Sequence, residues 1–281
     1  MPLASLADVL PAANAEGRAV AGLVALGWED ARAFVAAAEA EGQPVILQAG
    51  PGARAHMPVS VWGAMFRHLG KAARVPVVAH LDHGRSLADC EAAIATGFTS
   101  VMFDGSRLPL EENIAETRAV AEMAHAAGVS CEGEIGFVGY DAGDVSNPTD
   151  PDEAARFARE TGVDAMAVSI GNVHLQTEAK AVIDWAALEA IAARTDCPLV
   201  LHGASGVPAE IRTMLARDWP VAKFNIGTEL RQTFGQALRR TLAEDAQVFD
   251  RVAILSQIEP ALRDGARRVI RELAPLEKTR S

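Results

Sequence analysis

Apolar residues in this chain fall into two alternating regimes. Short runs rich in branched side chains, at 19–24, 45–49, 77–80, 100–103, 130–134, 165–169, 199–202 and 223–226, are separated by longer Ala-rich stretches. The runs are continuously apolar, as strands buried on both faces are. The stretches between them carry helical spacing. In 30–41, DARAFVAAAEAE, residues Ala31, Phe34, Val35 and Ala38 share one face and Gly42 follows as a stop. Stretches 87–96 and 112–127 likewise end before Gly97 and Gly128, and Asp150-Pro151 supplies an N-cap and a first helical residue for 152–161. The eight runs begin 23 to 35 residues apart, room for one strand, one helix and two loops each. This periodicity predicts an α/β fold: a (β/α)8 TIM barrel in one domain spanning 1–281. A C-terminal helical extension is expected from about 228, comprising 228–244 and 250–273. A doubly wound open sheet is the rival. It is disfavoured because no GxGxxG follows the first run and because polar residues gather at many strand ends rather than at one crevice. The last helices exceed what one barrel unit needs, so the surplus packs across a barrel edge or against another subunit of a homodimer or homotetramer.

Composition narrows the field. Hydrophobic residues make up 49% and charged residues 22%, so a large core is available and no disulfide or metal is needed to hold it. No run approaches the ~20 apolar residues of a membrane span, and the first residues lack a basic start followed by an apolar block. Three cysteines, Cys90, Cys131 and Cys197, have no CxxC spacing and read as free thiols in a reducing cytoplasm. The net charge of −11 argues against a nucleic-acid partner but leaves room for an anionic small substrate in a locally positive pocket.

Candidate chemistry sits at the ends of the runs. His83 follows the third, His174 the sixth and His202 ends the seventh. Any one of them alone is more simply a packed or capping histidine. Three at strand ends of one barrel converge on one rim and suit Zn²⁺ with a coordination position left open. His56, His68 and His125 fall in loop or helix patterns and should be exposed, and His80 inside the third motif should be structural. Carboxylates stand at the same ends: Asp82 beside His83, Asp104 after the fourth run, and Glu132 and Glu134 in the fifth. Apolar strands tolerate such groups only when they are paired, bound to metal or used. The spacing of two puts Glu132 and Glu134 on one side of the strand, towards the interior. The seventh and eighth runs lead into His202-Gly203-Ala204-Ser205-Gly206 and Asn225-Ile226-Gly227-Thr228, loops where barrels commonly hold phosphate.

The segments HLDHG (80–84), SVMFDGS (100–106), EGEIG (132–136), TGVDAMAVSIGNVH (161–174), PLVLHGASGVP (198–208) and KFNIGTELR (223–231) resemble the class II, zinc-dependent ketose-bisphosphate aldolases, which include fructose- and tagatose-bisphosphate aldolases. The resemblance runs in order from about residue 6 to 231. It implies reversible cleavage of a ketose 1-phosphate or ketose bisphosphate to dihydroxyacetone phosphate and an aldehyde. By the same resemblance, one Zn²⁺ per chain is held by His83, His174 and His202, with Glu134 as an alternative ligand and Asp104 nearby. Asp82 becomes the acid/base for the C4 hydroxyl, and Gly203, Ser205, Asn225 and Thr228 hold the dihydroxyacetone-phosphate end. Other readings are a metal-dependent lyase for another phosphorylated or carboxylated ketose and a non-catalytic sugar-phosphate-binding protein.

Departures from the family pattern cluster on the acceptor side. Val24 stands where an Asn is usual, Gly50 where a Ser is usual, and Leu175 where a Gly is usual. The loop after the fifth run lacks its usual Glu, which leaves Asp141 and Asp144 to remove the C1 proton. The acceptor is therefore expected to differ from glyceraldehyde 3-phosphate. Arg54, just past the altered turn, either meets an acidic group of that acceptor or is an ordinary solvated arginine.

Overall fold

The computed structural model describes residues 3–139, 143, 145–178 and 180–274. The strands are β1 (Leu3–Ala4), β2 (Val20–Val24), β3 (Val45–Ala49), β4 (Val77–Gly84), β5 (Ser100–Phe103), β6 (Ser130–Ile135), β7 (Ala165–Val168), β8 (Leu199–Leu201) and β9 (Val221–Ile226). The helices are α1 (Leu6–Ala15), α2 (Trp28–Glu41), α3 (Pro51–His56), α4 (Val59–Ala72), α5 (Leu87–Thr96), α6 (Leu110–Ala126), α7 (Pro151–Thr161), α8 (Trp185–Ala192), α9 (Ala209–Asp218), α10 (Thr228–Glu244) and α11 (Arg251–Leu273). Strands β2 to β9 pair in parallel with their sequence neighbours, and β9 returns to β2 through Val20↔Lys223 and Gly22↔Asn225. The sheet is thus a closed eight-stranded barrel with helices between the strands, a TIM barrel with additional C-terminal helices.

The punctuation works as the sequence suggests. Asp150 Oδ1 accepts from the N–H groups of Asp152 and Glu153, with Pro151 at the first helical position of α7. Helices α2, α5 and α7 end on left-handed Gly42, Gly97 and Gly162. The surplus helix α11 packs on the chain's own α2, α10 and α9 through Ile258, Leu262, Ala266 and Val269. Among the described residues, no helix is long and apolar enough to cross a membrane. Cys90 and Cys131 are free and buried, and burial pushes the Cys90 thiol up to about 12.

The core has two compartments. One lies between strands and helices and includes Phe34, Trp62, Phe66, Phe98, Phe157 and Phe224. The other fills the bottom of the barrel, where Val20, Ile46, Val78, Ala165, Val200 and Ala222 meet Leu6, Val9, Leu10 and Ala13 of α1. The strand periodicity gave no hint of α1 or β1. Helix α1 is fixed by a capping box, in which Ser5 and Asp8 bond each other's backbone N–H, and it closes the lower end of the barrel. Strand β1 pairs with β4 at Leu3↔Val77 and Ala4↔Val78.

Above this apolar floor the interior turns polar. Lys223 Nζ donates to Glu132 Oε2 at 2.6 Å and lies 3.3 Å from His80 Nε2, while His80 Nδ1 meets Ser100 Oγ at 2.8 Å. All four residues are fully buried. Strand β9 begins two residues before its apolar run and shifts register against β8 between Leu199 and Val200, where Lys223 becomes the partner of Val200. His80 is structural, as its position implied. Burial and the Lys223 charge drive its imidazole down to about 3, so it is neutral.

Removing one partner of such a buried pair leaves an uncompensated charge. Lys223→Met should cost about 3–5 kcal/mol in unfolding free energy. The double variant Glu132→Gln/Lys223→Met should recover a large part of that loss. Guanidinium denaturation of the three proteins measures both, and a double variant no more stable than the single one would refute the pairing energetics.

Candidate active site

The C-terminal ends of β2, β3, β4, β8 and β9 and the loop after β7 surround a cavity of about 300 Å³ lined by Val24, Gly50, Asp82, His83, His174, Gly203, Ser205, Asn225 and Thr228. Six strand-end or loop segments far apart in sequence therefore place residues in one space. A second cavity of about 180 Å³ continues from His83 and His174 to Asp104, Glu134 and Arg107. Exposed Arg85 lines both.

The three imidazoles form a triangle. Ring centroids are 4.7 Å apart for His83–His202, 5.2 Å for His83–His174 and 5.6 Å for His174–His202. One nitrogen from each lies within 4.8 Å of the others. Each outer ring is aimed by a carboxylate behind it. His83 Nδ1 meets Asp104 Oδ2 at 2.8 Å, and His202 Nε2 meets Glu132 Oε1 at 3.0 Å. These bonds leave His83 Nε2 and His202 Nδ1 for the centre of the triangle. His174 is set by its loop: its N–H donates to Gly139 O, and Asn172 Nδ2 ties the same loop to the carbonyl of His202. Gly203, left-handed at φ 62°, permits the close approach, since a Cβ there would lie 2.2 Å from Val173 O.

Two buried atoms at the centre have no hydrogen-bond partner: His202 Nδ1 and Glu134 Oε2, 3.3 Å apart in a geometry that closes no bond. Orphaned buried groups of this kind call for a ligand. Three imidazoles with an adjacent carboxylate are the donor set of a zinc-like divalent cation, so the residues present fit the metal. Asp104 also joins His83 and Glu134 in a second potential ligand group. Electrostatics follow the geometry. Burial lowers the His202 imidazole, but its bond to Glu132 and the nearby Glu134 outweigh it and push it up to about 10. His83 is raised against burial by Asp82 and Asp104, whereas burial and its two histidine neighbours hold His174 well below its usual value.

Asp82 stands on the other side of His83. Gln48 Nε2 and Asn225 Nδ2 both donate to its Oδ1, at 3.1 and 3.2 Å. Its Oδ2 faces Gly50, where a Cβ would lie 3.2 Å away. Burial raises this carboxyl, but the charges of His83, His202 and Lys223 prevail and keep it below the ordinary carboxylate range. Gln48 was not foreseen from sequence. It is a fully buried amide in an otherwise apolar strand, and that is the signal that marks it. Gly22 makes room for it, because a Cβ there would lie 2.1 Å from Gln48 Oε1.

On the far wall, Ser205 Oγ accepts from the N–H groups of Gly227 and Glu229 at 3.2 and 3.3 Å, tying the loop after β8 to the N-terminus of α10. Its hydroxyl proton, the Gly203–Ser205 turn and Thr228 border the cavity. Asn225 shares that cavity but gives its amide to Asp82. Val24, Gly50 and Leu175 also line it. Leu175 occupies the left-handed region at φ 60°, a conformation costing a leucine about 1–2 kcal/mol. Asp141 and Asp144 lie outside the described residues. Lys223 is salt-bridged to Glu132 on the barrel axis, and the cavity is lined by other residues. His56, His68 and His125 are exposed, as expected.

Comparison with known proteins agrees with this arrangement. The family model for fructose-bisphosphate aldolase class-II matches residues 4–278. A fructose-bisphosphate aldolase of Staphylococcus aureus (strain Mu50 / ATCC 700699) is 35% identical over 281 residues, 97% of each chain. A 6-phospho-5-dehydro-2-deoxy-D-gluconate aldolase of Shouchella clausii (strain KSM-K16) is 38% identical over 265 residues, 92% of this chain and 89% of its own. Among solved structures, the YdjI aldolase from Escherichia coli K12 superposes with a TM-score of 0.86 at 30% identity, covering 98% of this chain and 99% of that one. With its barrel, its three convergent histidines and its Asp82, the chain belongs to the class II fructose-bisphosphate aldolase family and is a lyase of the class II aldolase type.

Proposed function

We infer that the protein uses one Zn²⁺ per chain to cleave a ketose 1-phosphate reversibly into dihydroxyacetone phosphate and an aldehyde, in the cytoplasm. The observation that carries this reading is the placement of Asp82 beside the three-histidine triangle, two of whose members, His83 and His174, share its cavity, with two hydrogen bonds fixing one of its oxygens. His83, His174 and His202 would hold the cation, which when bound would supply positive charge to stabilise the electrons left on the three-carbon fragment. Asp82 Oδ2, unencumbered by Gln48 and Asn225, takes the proton from the C4 hydroxyl. The Gly203–Ser205 turn, Thr228 and the N-terminus of α10 hold the phosphate by N–H and hydroxyl donors. Proton transfer at C1 is assigned to Asp141 or Asp144.

The acceptor end supports a substrate other than the usual bisphosphates. Val24 and Gly50 line the cavity near Asp82, and neither side chain donates a hydrogen bond. Each donor lost to a charged group costs ~1.5–3 kcal/mol. The Shouchella relative is named for 6-phospho-5-dehydro-2-deoxy-D-gluconate, a phosphorylated keto acid. We therefore favour a ketose 1-phosphate whose far end is uncharged or bears a different acidic group.

Three outcomes follow. Zinc has to displace the proton that Glu132 and Glu134 hold on His202, so apparent affinity should rise about tenfold per pH unit from about 6.5 to 8.5, below the value of about 10. Chelator competition measures it, with His202→Ala losing most binding; a pH-independent affinity contradicts the assignment. Asp82→Asn should lower kcat for cleavage by roughly 10²–10⁴ while solvent deuterium still enters C1 of dihydroxyacetone phosphate. Equal loss of both activities would place Asp82 elsewhere in the mechanism. For fructose and tagatose 1,6-bisphosphates, kcat/KM should fall below ~10⁴ M⁻¹s⁻¹, and higher values would restore the standard acceptor.

A further inference from the structure

Successive side chains of a strand point to opposite faces, yet Asp82 and His83 both line the same cavity. The backbone of β4 makes this happen. Pairing with β3 ends at Ala49↔Leu81, and pairing with β5 jumps from Leu81↔Val101 to Gly84↔Phe103, so neither Asp82 nor His83 has a ladder partner. Within this bulge His83 takes a left-handed φ of 53°, one of two non-glycine residues to do so among those described. The left-handed residue turns the second side chain back to the face of the first.

A single side chain meets the carbonyls that the bulge exposes. Arg54 comes from α3, the six-residue helix that follows β3. Its Nη1 donates to Asp82 O and to Ala49 O, both at 2.5 Å, and its Nη2 donates to His83 O at 2.9 Å. The guanidinium is therefore half-buried and engaged by backbone carbonyls through both terminal nitrogens. It fastens the end of β3 to two successive residues of the bulge. Only a planar fork with several donors spans three carbonyls on two strands; an ammonium of similar reach is a point donor.

We propose that Arg54 is a positioning residue, whose clamp on the Asp82 and His83 carbonyls holds the bulge that turns both side chains into the cavity. This rests on the function assigned above, in which Asp82 handles the C4 hydroxyl proton and His83 is a metal ligand. Arg54 touches neither substrate nor metal. Its effect reaches the site through backbone conformation, and it should act on metal affinity and on proton transfer together. The phosphate half, built from the loops after β8 and β9, should be untouched.

The experiment compares wild type, Arg54→Lys and Arg54→Ala by chelator competition for zinc, thermal unfolding, and KM and kcat for cleavage. In both variants zinc affinity and kcat should each fall about 10–100-fold. KM should change by less than about threefold, because the phosphate contacts stay in place. Added methylguanidine should restore zinc affinity to Arg54→Ala, because it replaces the missing fork. Wild-type zinc affinity in both variants overturns the proposal, even if they unfold at lower temperature, because that would make Arg54 a brace with no hold on His83. Failure of methylguanidine to raise zinc affinity in Arg54→Ala while Arg54→Lys binds normally also overturns it. Zinc affinity is read without turnover, so a wild-type enzyme that binds zinc but cleaves no ketose phosphate would count against the assigned function and not against the clamp.

Discussion

The Glu132 carboxylate lies on the barrel axis, fully buried, where an unpaired charge would cost several kcal/mol. It accepts from Lys223 on one side and from His202 on the other. Lys223 neutralises it, and His202 is fixed in the tautomer that turns Nδ1 to the triangle centre. The same carboxylate therefore joins the structural layer of the barrel to its chemical layer. The Glu134 carboxyl two residues along the strand, on the same face, completes the step from scaffold to site. Asp104 repeats the device for His83 at the rim.

The barrel interior is graded along its axis. Aliphatic side chains and helix α1 close the floor. Above them comes a layer of paired charges, and above that the amides of Gln48 and Asn225 and the open carboxylate oxygen of Asp82. Each layer supports the one above. The upper groups rest on side chains that are buried and packed.

Much of this was legible because it depends on periodicity and residue type. Strand β3 matches its apolar run, α5 and α10 match their predicted bounds, and α7 carries the cap that Asp150-Pro151 announced. Three histidines at strand ends could be joined in one site because a parallel barrel sends all strand ends to one rim. What escaped was what periodicity does not encode. The bulge at Asp82 and His83 violates the alternation of a strand, and nothing in the residue types marks it. Arg54 was misjudged for the same reason, since the carbonyls it serves are exposed only by the bulge. Gln48 is marked by residue type alone, the one amide in a fully buried apolar strand. The two-residue strand β1 is too short to carry a pattern, and α1 was overshadowed by the strand repeat.

The closure of the sheet bears on how the chain reaches its native state. Strand β2 near the N-terminus and β9 near the C-terminus are hydrogen-bonded neighbours, so the last seam joins segments some two hundred residues apart in sequence. Such pairing carries a loop-closure cost that has to be met before its contacts stabilise the chain. Lys223 sits on that last strand, and Glu132 on a strand that precedes it by most of a hundred residues. Until the seam closes, Glu132 faces an unfinished interior still open to water, where its charge costs little. Dehydration of the carboxylate and arrival of its counter-ion are then one event, and a nascent chain lacking β9 would hold a wet, unclosed cylinder with no triangle of imidazoles at its rim.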